Sequence, residues 1–323
     1  MLYLAIKNYE HNLKTNFVRM KKLLAMGLFI SIAATSVVHA QQDPQYTQYM
    51  YNQNVINPAY AGTQDGMSIT ALYRQQWSGI NGAPETITLS GSTSIGDRVG
   101  VGLSVISDNI GPIGETNAYG DFSYRLQVGK KTTLALGLKA GLTFFDVNLN
   151  TVQTTVPGDP LFSEELNETY INLGAGAFLY GENWYTGFSV PNMLNSTHLD
   201  ENGLEFGSET QHYFLTGGYV FDIADNIKLK PHVLVKGAFD SPVSFDLNTN
   251  VLFNNKFEVG VSYRLEDSFS GLIGMNITDN IKVGYAYDRV VSDISIVAPS
   301  SHEVFLTFGL AFPRKVMQSP RFF

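Results

Sequence analysis

Three runs near the C-terminal end alternate strictly between apolar residues and small or polar ones. Phe257, Val259, Val261, Tyr263 and Leu265 alternate with Glu258, Gly260, Ser262 and Arg264. Ile281, Val283, Tyr285 and Tyr287 alternate with Lys282, Gly284, Ala286 and Asp288. Val304, Leu306, Phe308, Leu310 and Phe312 alternate with Phe305, Thr307, Gly309 and Ala311. Side chains on a strand point to opposite faces with a period of two, so each run has one apolar face. About fourteen such runs follow one another along the chain, with no helical segment to cover them. In a water-soluble sandwich the apolar faces would form an interior. Long runs without covering helices instead predict an all-β transmembrane, antiparallel, up-and-down β-barrel of about 14 strands, apolar towards lipid and polar towards the lumen.

The strands are placed at Met67–Trp77, Glu85–Ile95, Arg98–Ser107, Glu115–Gln127, Thr132–Phe145, Glu168–Tyr180 and Trp184–Val190. They continue at Gln211–Phe221, Ile227–Ala238, Val243–Phe253, Lys256–Leu265, Phe269–Ile277, Ile281–Val290 and Glu303–Phe312. Every second connection is a tight turn built on Gly, Asn or Asp, among them Gly96-Asp97, Asn254-Asn255 and Thr278-Asp279-Asn280, residues that tolerate φ > 0. The alternate connections are longer, as at Ser78–Pro84, Asp108–Gly114, Asp146–Asn167, Pro191–Thr210, Phe239–Pro242 and Val291–His302, with Glu266–Ser268 the short one. Short periplasmic turns alternating with longer external loops are an outer-membrane pattern, and an even strand count puts both chain termini on the periplasmic side. Composition agrees: 15% of residues are charged and 12% aromatic, against about 25% charged in soluble domains. The absence of cysteine rules out disulfides and thiolate metal sites.

Ahead of the strands, Met20-Lys21-Lys22, the apolar stretch Leu23 to Val38 and Val38-His39-Ala40 read as a signal peptide cleaved after Ala40. Residues before Met20 read as an upstream start chosen in error, so 1–40 is a removed leader of an integral, exported outer-membrane protein. Residues 41–66 form a non-strand plug or periplasmic segment, 67–312 the barrel and 313–323 a short periplasmic C-terminal tail. The full chain carries a formal charge of −8. Residues 1–40 hold five Lys or Arg and one Glu, so the rest carries −12, which argues against a nucleic-acid partner. Acidic residues cluster at Asp159 to Glu168 and Asp200 to Glu209, as solvated outer loops.

Signals for chemistry are absent from the pattern. His198, His212, His232 and His302 sit on separate elements without metal-ligand spacing, and Asp159, Glu164, Glu165 and Glu168 lack calcium-loop spacing. No nucleophile has an oriented base, and the glycine pairs lie inside strands, not before a helix. The expectation is a protein that is not an enzyme and carries no cofactor or metal. Gly100, Gly102, Gly137, Gly141, Gly174, Gly176, Gly218, Gly260, Gly284 and Gly309 all fall on the inward register. They either relieve strain where the barrel coils or leave room for another backbone in the lumen.

Asp43-Pro44, Gln48-Tyr49-Met50 and Asn57-Pro58-Ala59-Tyr60-Ala61-Gly62 are followed by Tyr73-Arg74-Gln75-Gln76-Trp77 and Gly82-Ala83-Pro84. Further on come Ser189-Val190-Pro191-Asn192, Gly217-Gly218-Tyr219, Gly284-Tyr285-Ala286-Tyr287-Asp288 and Ser301-His302-Glu303. This ordered set resembles the PorP/SprF family of the Bacteroidetes type IX secretion and gliding motility system, and covers essentially the whole chain beyond the leader. The resemblance implies a non-enzymatic outer-membrane barrel supporting secretion, surface attachment or motility. Its implied partners are outer-membrane lipid, periplasmic secretion and motility proteins, and a secreted surface adhesin with a C-terminal sorting domain. The alternatives are a porin-like solute channel, whose lumen would carry ordered charges, and a barrel enzyme. Tyr49, Asn57, Pro58, Tyr60, Arg74, Gln76, Trp77 and Pro84 are the candidate partner-binding residues. Tyr and Trp offer large contact area, Pro58 fixes the backbone, and Arg74 should point into the lumen, where an unpaired charge is costly.

Overall fold

The computed structural model describes residues 44–149, 165–194, 200–201, 204–205, 211–238 and 241–310. The leader, Phe312 and the tail 313–323 lie outside them, as do most of the two acidic loops. Among the described residues the barrel strands are β1 (Met67–Gln75), β2 (Glu85–Ile95), β3 (Val99–Ile110), β4 (Ile113–Gly129) and β5 (Thr132–Asn148). Next come β6 (Glu165–Tyr180), β7 (Trp184–Val190), β8 (His212–Tyr219), β9 (Ile227–Ala238) and β10 (Ser241–Phe253). The last are β11 (Phe257–Arg264), β12 (Ser268–Thr278), β13 (Ile281–Val290) and β14 (Ser300–Leu310). Each pairs antiparallel with its neighbours in sequence, and β1 pairs with β14, for example Arg74 opposite Glu303, which closes the ring. β8 bridges β7 and β9, and Phe221–Ala224 continues it along β9 past a break at Val220. Closure leaves no exposed sheet edge, which a strand in lipid requires.

The alternation of the sequence is the alternation of the wall. Val259 and Val261 on β11 and Val304 and Leu306 on β14 are exposed on the outside, whereas Glu258, Gly260 and Ser262 are buried inside. Outward aromatics gather near both ends. Tyr73, Phe269 and Tyr287 lie at the loop end, and Tyr124, Tyr219 and Phe257 at the turn end, the interfacial girdles of a membrane barrel. Two features differ from the sequence pattern. β3 and β4 continue to Ile110 and Ile113, so the expected loop Asp108–Gly114 is a two-residue turn at Gly111-Pro112, with Gly111 at φ 58. Backbone pairing there runs beyond the apolar register that set the boundary. The inward face also carries large groups, namely Leu72, Ile106, Tyr119, Phe178, Phe214, Leu234 and Phe305. A water-filled lumen would not accommodate them, and their partners come from the segment before β1.

The outward register yields a direct expectation. Val261 is 66% exposed, so Val261→Arg should cost about 2–4 kcal/mol in a lipid-facing position, whereas Val261→Leu should cost almost nothing. Urea titration of the protein refolded into lipid vesicles measures both, and equal stabilities would place Val261 away from lipid.

Candidate functional site

Residues 44–66 form short helical turns, Tyr49–Tyr51, Gln53–Ile56 and Pro58–Tyr60, and no strand. Tyr46 to Thr63 are almost all buried, so this segment is a plug inside the barrel. It starts in the loop half of the lumen. Thr47 and Gln48 donate their backbone N–H groups to Glu303 on β14 at 2.8 and 2.7 Å, and Arg264 Nη2 on β11 reaches the Tyr46 carbonyl at 3.4 Å. By Tyr51, whose hydroxyl donates to Glu258, the chain has reached the turn half. It then crosses to the opposite wall. Ser189 Oγ on β7 donates to the Ile56 carbonyl at 2.9 Å, Asn57 Nδ2 to the Ala177 carbonyl of β6 at 3.1 Å, and Ser123 Oγ on β4 to the Ala61 carbonyl at 2.6 Å. The Gln and Asn content of the plug thus matches a polar wall, since buried amides need partners.

The inward glycines sort between the two sequence readings. A Cβ on Gly100 would lie 2.0 Å from the Ala61 carbonyl oxygen, and one on Gly137 2.2 Å from Ala59 N. Gly176 likewise meets Asn57, Gly102 meets Asn54, and Gly284 comes near Gln48. At Gly100 and Gly137 the plug backbone approaches the wall, at Gly102 and Gly176 plug side chains do, and Gly284 meets the barrel's own Phe305 before Gln48. Gly141, Gly174, Gly218 and Gly260 instead meet the barrel's own Tyr119, Pro191, Tyr185 and Asn250, and Gly309 is uncrowded. Apolar contact completes the seat. Tyr46, Tyr49, Met50, Val55 and Ile56 pack with Leu72, Ile106, Phe214, Leu234 and Phe305, and Ala59 and Tyr60 pack with Phe178, Tyr180 and Tyr185.

Among the described residues, three charged clusters bond to the plug. In the first, Arg74 Nη1 pairs with Asp288 at 2.8 Å and Glu303 at 3.1 Å and donates to Thr47 Oγ1 at 3.0 Å. Thr47 Oγ1 in turn donates to Asp288. In the second, Arg264 forks onto both oxygens of Asp246 at 2.8 and 3.0 Å, the planar bidentate geometry that suits guanidinium. The third lies near the turn end, where Glu258 takes Lys230 at 3.3 Å and Lys282 at 2.8 Å. Lys282 Nζ also sits 3.8 Å from the centre of the Tyr51 ring. Burial, with Glu258 beside it, holds the Tyr51 phenol well above its usual range, so it stays a proton donor. The lumen therefore does carry ordered charges, the feature expected of a channel, but these are paired with one another and with the plug. Below the plug, on the turn side, a polar vestibule of about 700 Å³ remains.

The sequence candidates divide in two. Tyr49, Asn57, Pro58, Tyr60 and Arg74 are buried in the plug and its seat. Asn57 caps the Pro58–Tyr60 turn by accepting from Ala59 N at 3.0 Å. Gln76, Trp77 and Pro84 stand at the loop end, in the β1–β2 connection. The Gln76 N–H donates to the Pro84 carbonyl at 2.9 Å, and Trp77, at φ 52, donates its N–H to Ser301 Oγ at 3.0 Å. The two groups therefore do not form one surface. Asp246, Glu258, Arg264, Lys230 and Lys282 were not singled out by the sequence, although opposite charges on the inward register were the available signal.

The match to a family model over residues 38–308 decides the relationship, the family being the type IX secretion system membrane protein PorP/SprF. The chain belongs to the PorP/SprF family. As a closed barrel of a secretion-system membrane protein, this PorP/SprF member lies in the outer membrane. No curated protein matches it. Among solved structures it is similar to the Acinetobacter baumannii outer membrane protein Omp33, with 11% identity, 77% of this chain and 100% of that one covered, and a TM-score of 0.46. It is also similar to the CymD monoaromatic hydrocarbon channel, with 13% identity, 81% and 94% covered, and a TM-score of 0.46. The Ralstonia pickettii toluene transporter TbuX gives 12% identity, 78% and 90% covered, and 0.46. Three of the motifs that carry the resemblance supply Arg74, Asp288 and Glu303, and a fourth holds the turn at Asn57–Gly62.

Arg74 is 2% exposed, so Arg74→Leu leaves two buried carboxylates without their cation. We expect a loss of about 3–5 kcal/mol, read as a lower temperature for the heat-induced mobility shift on gels. Gly137→Val should leave the barrel closed but expel the Ala59 backbone from its seat. Limited proteolysis should then cut between Asn52 and Tyr60 in the variant and not in the wild type.

Proposed function

We propose that this barrel is a non-enzymatic docking platform of the type IX secretion system, with its pore closed to small solutes by its own N-terminal segment. The observation that carries the reading is the plug, seated by ion pairs, backbone hydrogen bonds and two apolar clusters. A barrel filled in this way offers its two ends to partners in place of a passage. On this reading Tyr49, Asn57, Pro58, Tyr60 and Arg74 act by holding the plug. Gln76 and Trp77, half-buried at the loop end, contact a secreted surface adhesin with a C-terminal sorting domain, and the buried Pro84 holds their loop through its carbonyl. The turn end faces periplasmic secretion or motility components. Trp77 suits the contact role, because a large aromatic held in the left-handed region by a hydrogen-bonded loop is strained and preorganised at once.

A chromosomal Trp77→Asn strain tests this, Asn being chosen because it tolerates positive φ. The barrel should reach the outer membrane at wild-type levels while surface display of its client falls by more than half. Wild-type display in that strain would sink the docking role. Planar-bilayer recording separates the runner-up, a porin-like channel: the wild type should show no steady conductance and a chain lacking residues 44–62 should, whereas steady wild-type conductance would favour the channel.

A further inference from the structure

The vestibule at the turn end is built unlike the rest of the lumen. Its wall comes from the turn-side ends of β9, β10, β12, β13, β14, β1 and β2 and from the β10–β11 turn, and its roof from Tyr51, Asn54 and Tyr60 of the plug. Lys230, Lys256 and Lys282 line it, and among the described residues Glu258 is the carboxylate with which both Lys230 and Lys282 pair. With Asp279 at the mouth included, the three lysines exceed the acidic groups by one charge. Lys256 is exposed at the rim, beside Asn254 and Asn255 of the β10–β11 turn. Asn254, Asn255, Asn276, Thr278 and Thr307 add amide and hydroxyl groups to the lining, which offer donors and acceptors to an extended backbone.

We propose that this vestibule is a docking pocket for an acidic polypeptide segment of a periplasmic partner, whose carboxylates Lys282, Lys230 and Lys256 hold and whose backbone meets the amides and hydroxyls of the lining. The proposal rests on the platform reading above and names the chemistry of its periplasmic side. A volume of about 700 Å³ lies within the range of ligand pockets and admits a few residues of extended chain. The chain's own residues 313–323, which come after β14 in sequence, carry Arg314, Lys315 and Arg321, a charge that makes them a poor occupant of a lysine-lined pocket.

The test uses the full chain purified in detergent and a fluorescent, amidated, glutamate-rich peptide, with its glutamine counterpart and inorganic phosphate as controls. The glutamate peptide should bind and the glutamine peptide should not, with affinity falling as salt rises. Lys256→Glu, on an exposed rim residue, and Lys282→Gln, which leaves Lys230 on Glu258, should each weaken binding about tenfold. Equal binding by both variants, or by the glutamine peptide, overturns the proposal. So does phosphate that displaces the peptide at the peptide's own affinity, which would show a small-anion site. Tighter peptide binding after removal of residues 313–323 would make the chain's own tail the occupant and also overturn it. These readouts are independent of surface display: absent peptide binding with lost display in the Trp77→Asn strain removes the pocket and leaves the platform, and the reverse pattern removes the platform's outer face alone.

Discussion

A charge turned inward from a barrel strand needs a counter-charge once the lumen is filled with protein, and Arg74 is where this constraint is sharpest. Its guanidinium binds Asp288, Glu303 and Thr47 within 3.1 Å. One contact set therefore ties together the first strand, the last two strands and the plug. β1 and β14 are the strands whose pairing closes the ring, so the same carboxylate that neutralises Arg74 sits across the closing seam from it. Glu303 also accepts the backbone N–H groups of Thr47 and Gln48, which fixes where the plug begins. Closure of the barrel and seating of the plug are thus coupled through a single cluster. Its worth lies in what its loss would leave behind, since a buried pair adds little beyond its desolvation cost but a broken one leaves charge stranded.

The plug then explains features of the wall that a simple barrel would not need. Phe305 faces inward where the alternation would place a small or polar residue, and its ring stacks on Tyr51 at 4.7 Å. Phe178 is fully buried against Tyr60, with the rings edge to face at 5.4 Å. Between these aromatic contacts the wall is cut back to glycine, at Gly100 and Gly137, where the plug backbone itself touches, and at Gly176, where the Asn57 side chain does. Large residues meet the plug's aromatic and aliphatic side chains, and glycines make room for its main chain and for Asn54 and Asn57. The inner face is a mould of a particular polypeptide.

The strands and their inward or outward sense were legible because a period of two is a local property, carried by each run alone. Val259 and Val261 face out and Glu258 and Gly260 face in, as the alternation dictates. The turn at Gly111-Pro112 was not legible, since strands can pair through their backbones beyond the apolar band that marks them. Phe214, Leu234 and Phe305 could not be read as plug contacts, because alternation does not say whether a lumen holds water or protein. Arg74 was legible as a charge needing partners. Its counter-charges lie over two hundred residues away, yet closure alone puts the last strand beside the first, so Glu303 was within reach of the argument.

The charges also divide along the lumen. At the loop end Arg74 and Arg264 face Asp288, Glu303, Asp246 and Asp267, whereas at the turn end Lys230, Lys256 and Lys282 face Glu258 and Asp279. The acidic half receives the start of the plug through backbone N–H donors, and the basic half receives Tyr51 through its hydroxyl and ring. Reversing the plug would set its donors against lysines, so its direction is fixed by electrostatics as well as by its covalent link to β1. If water entered, it could hydrate the stranded charges but could not replace the packing of Tyr49, Met50 and Ile56, which burial of apolar area favours by roughly 25 cal/mol per Å². Opening the pore would therefore be opposed chiefly by the apolar clusters, and the ion pairs set where the plug returns.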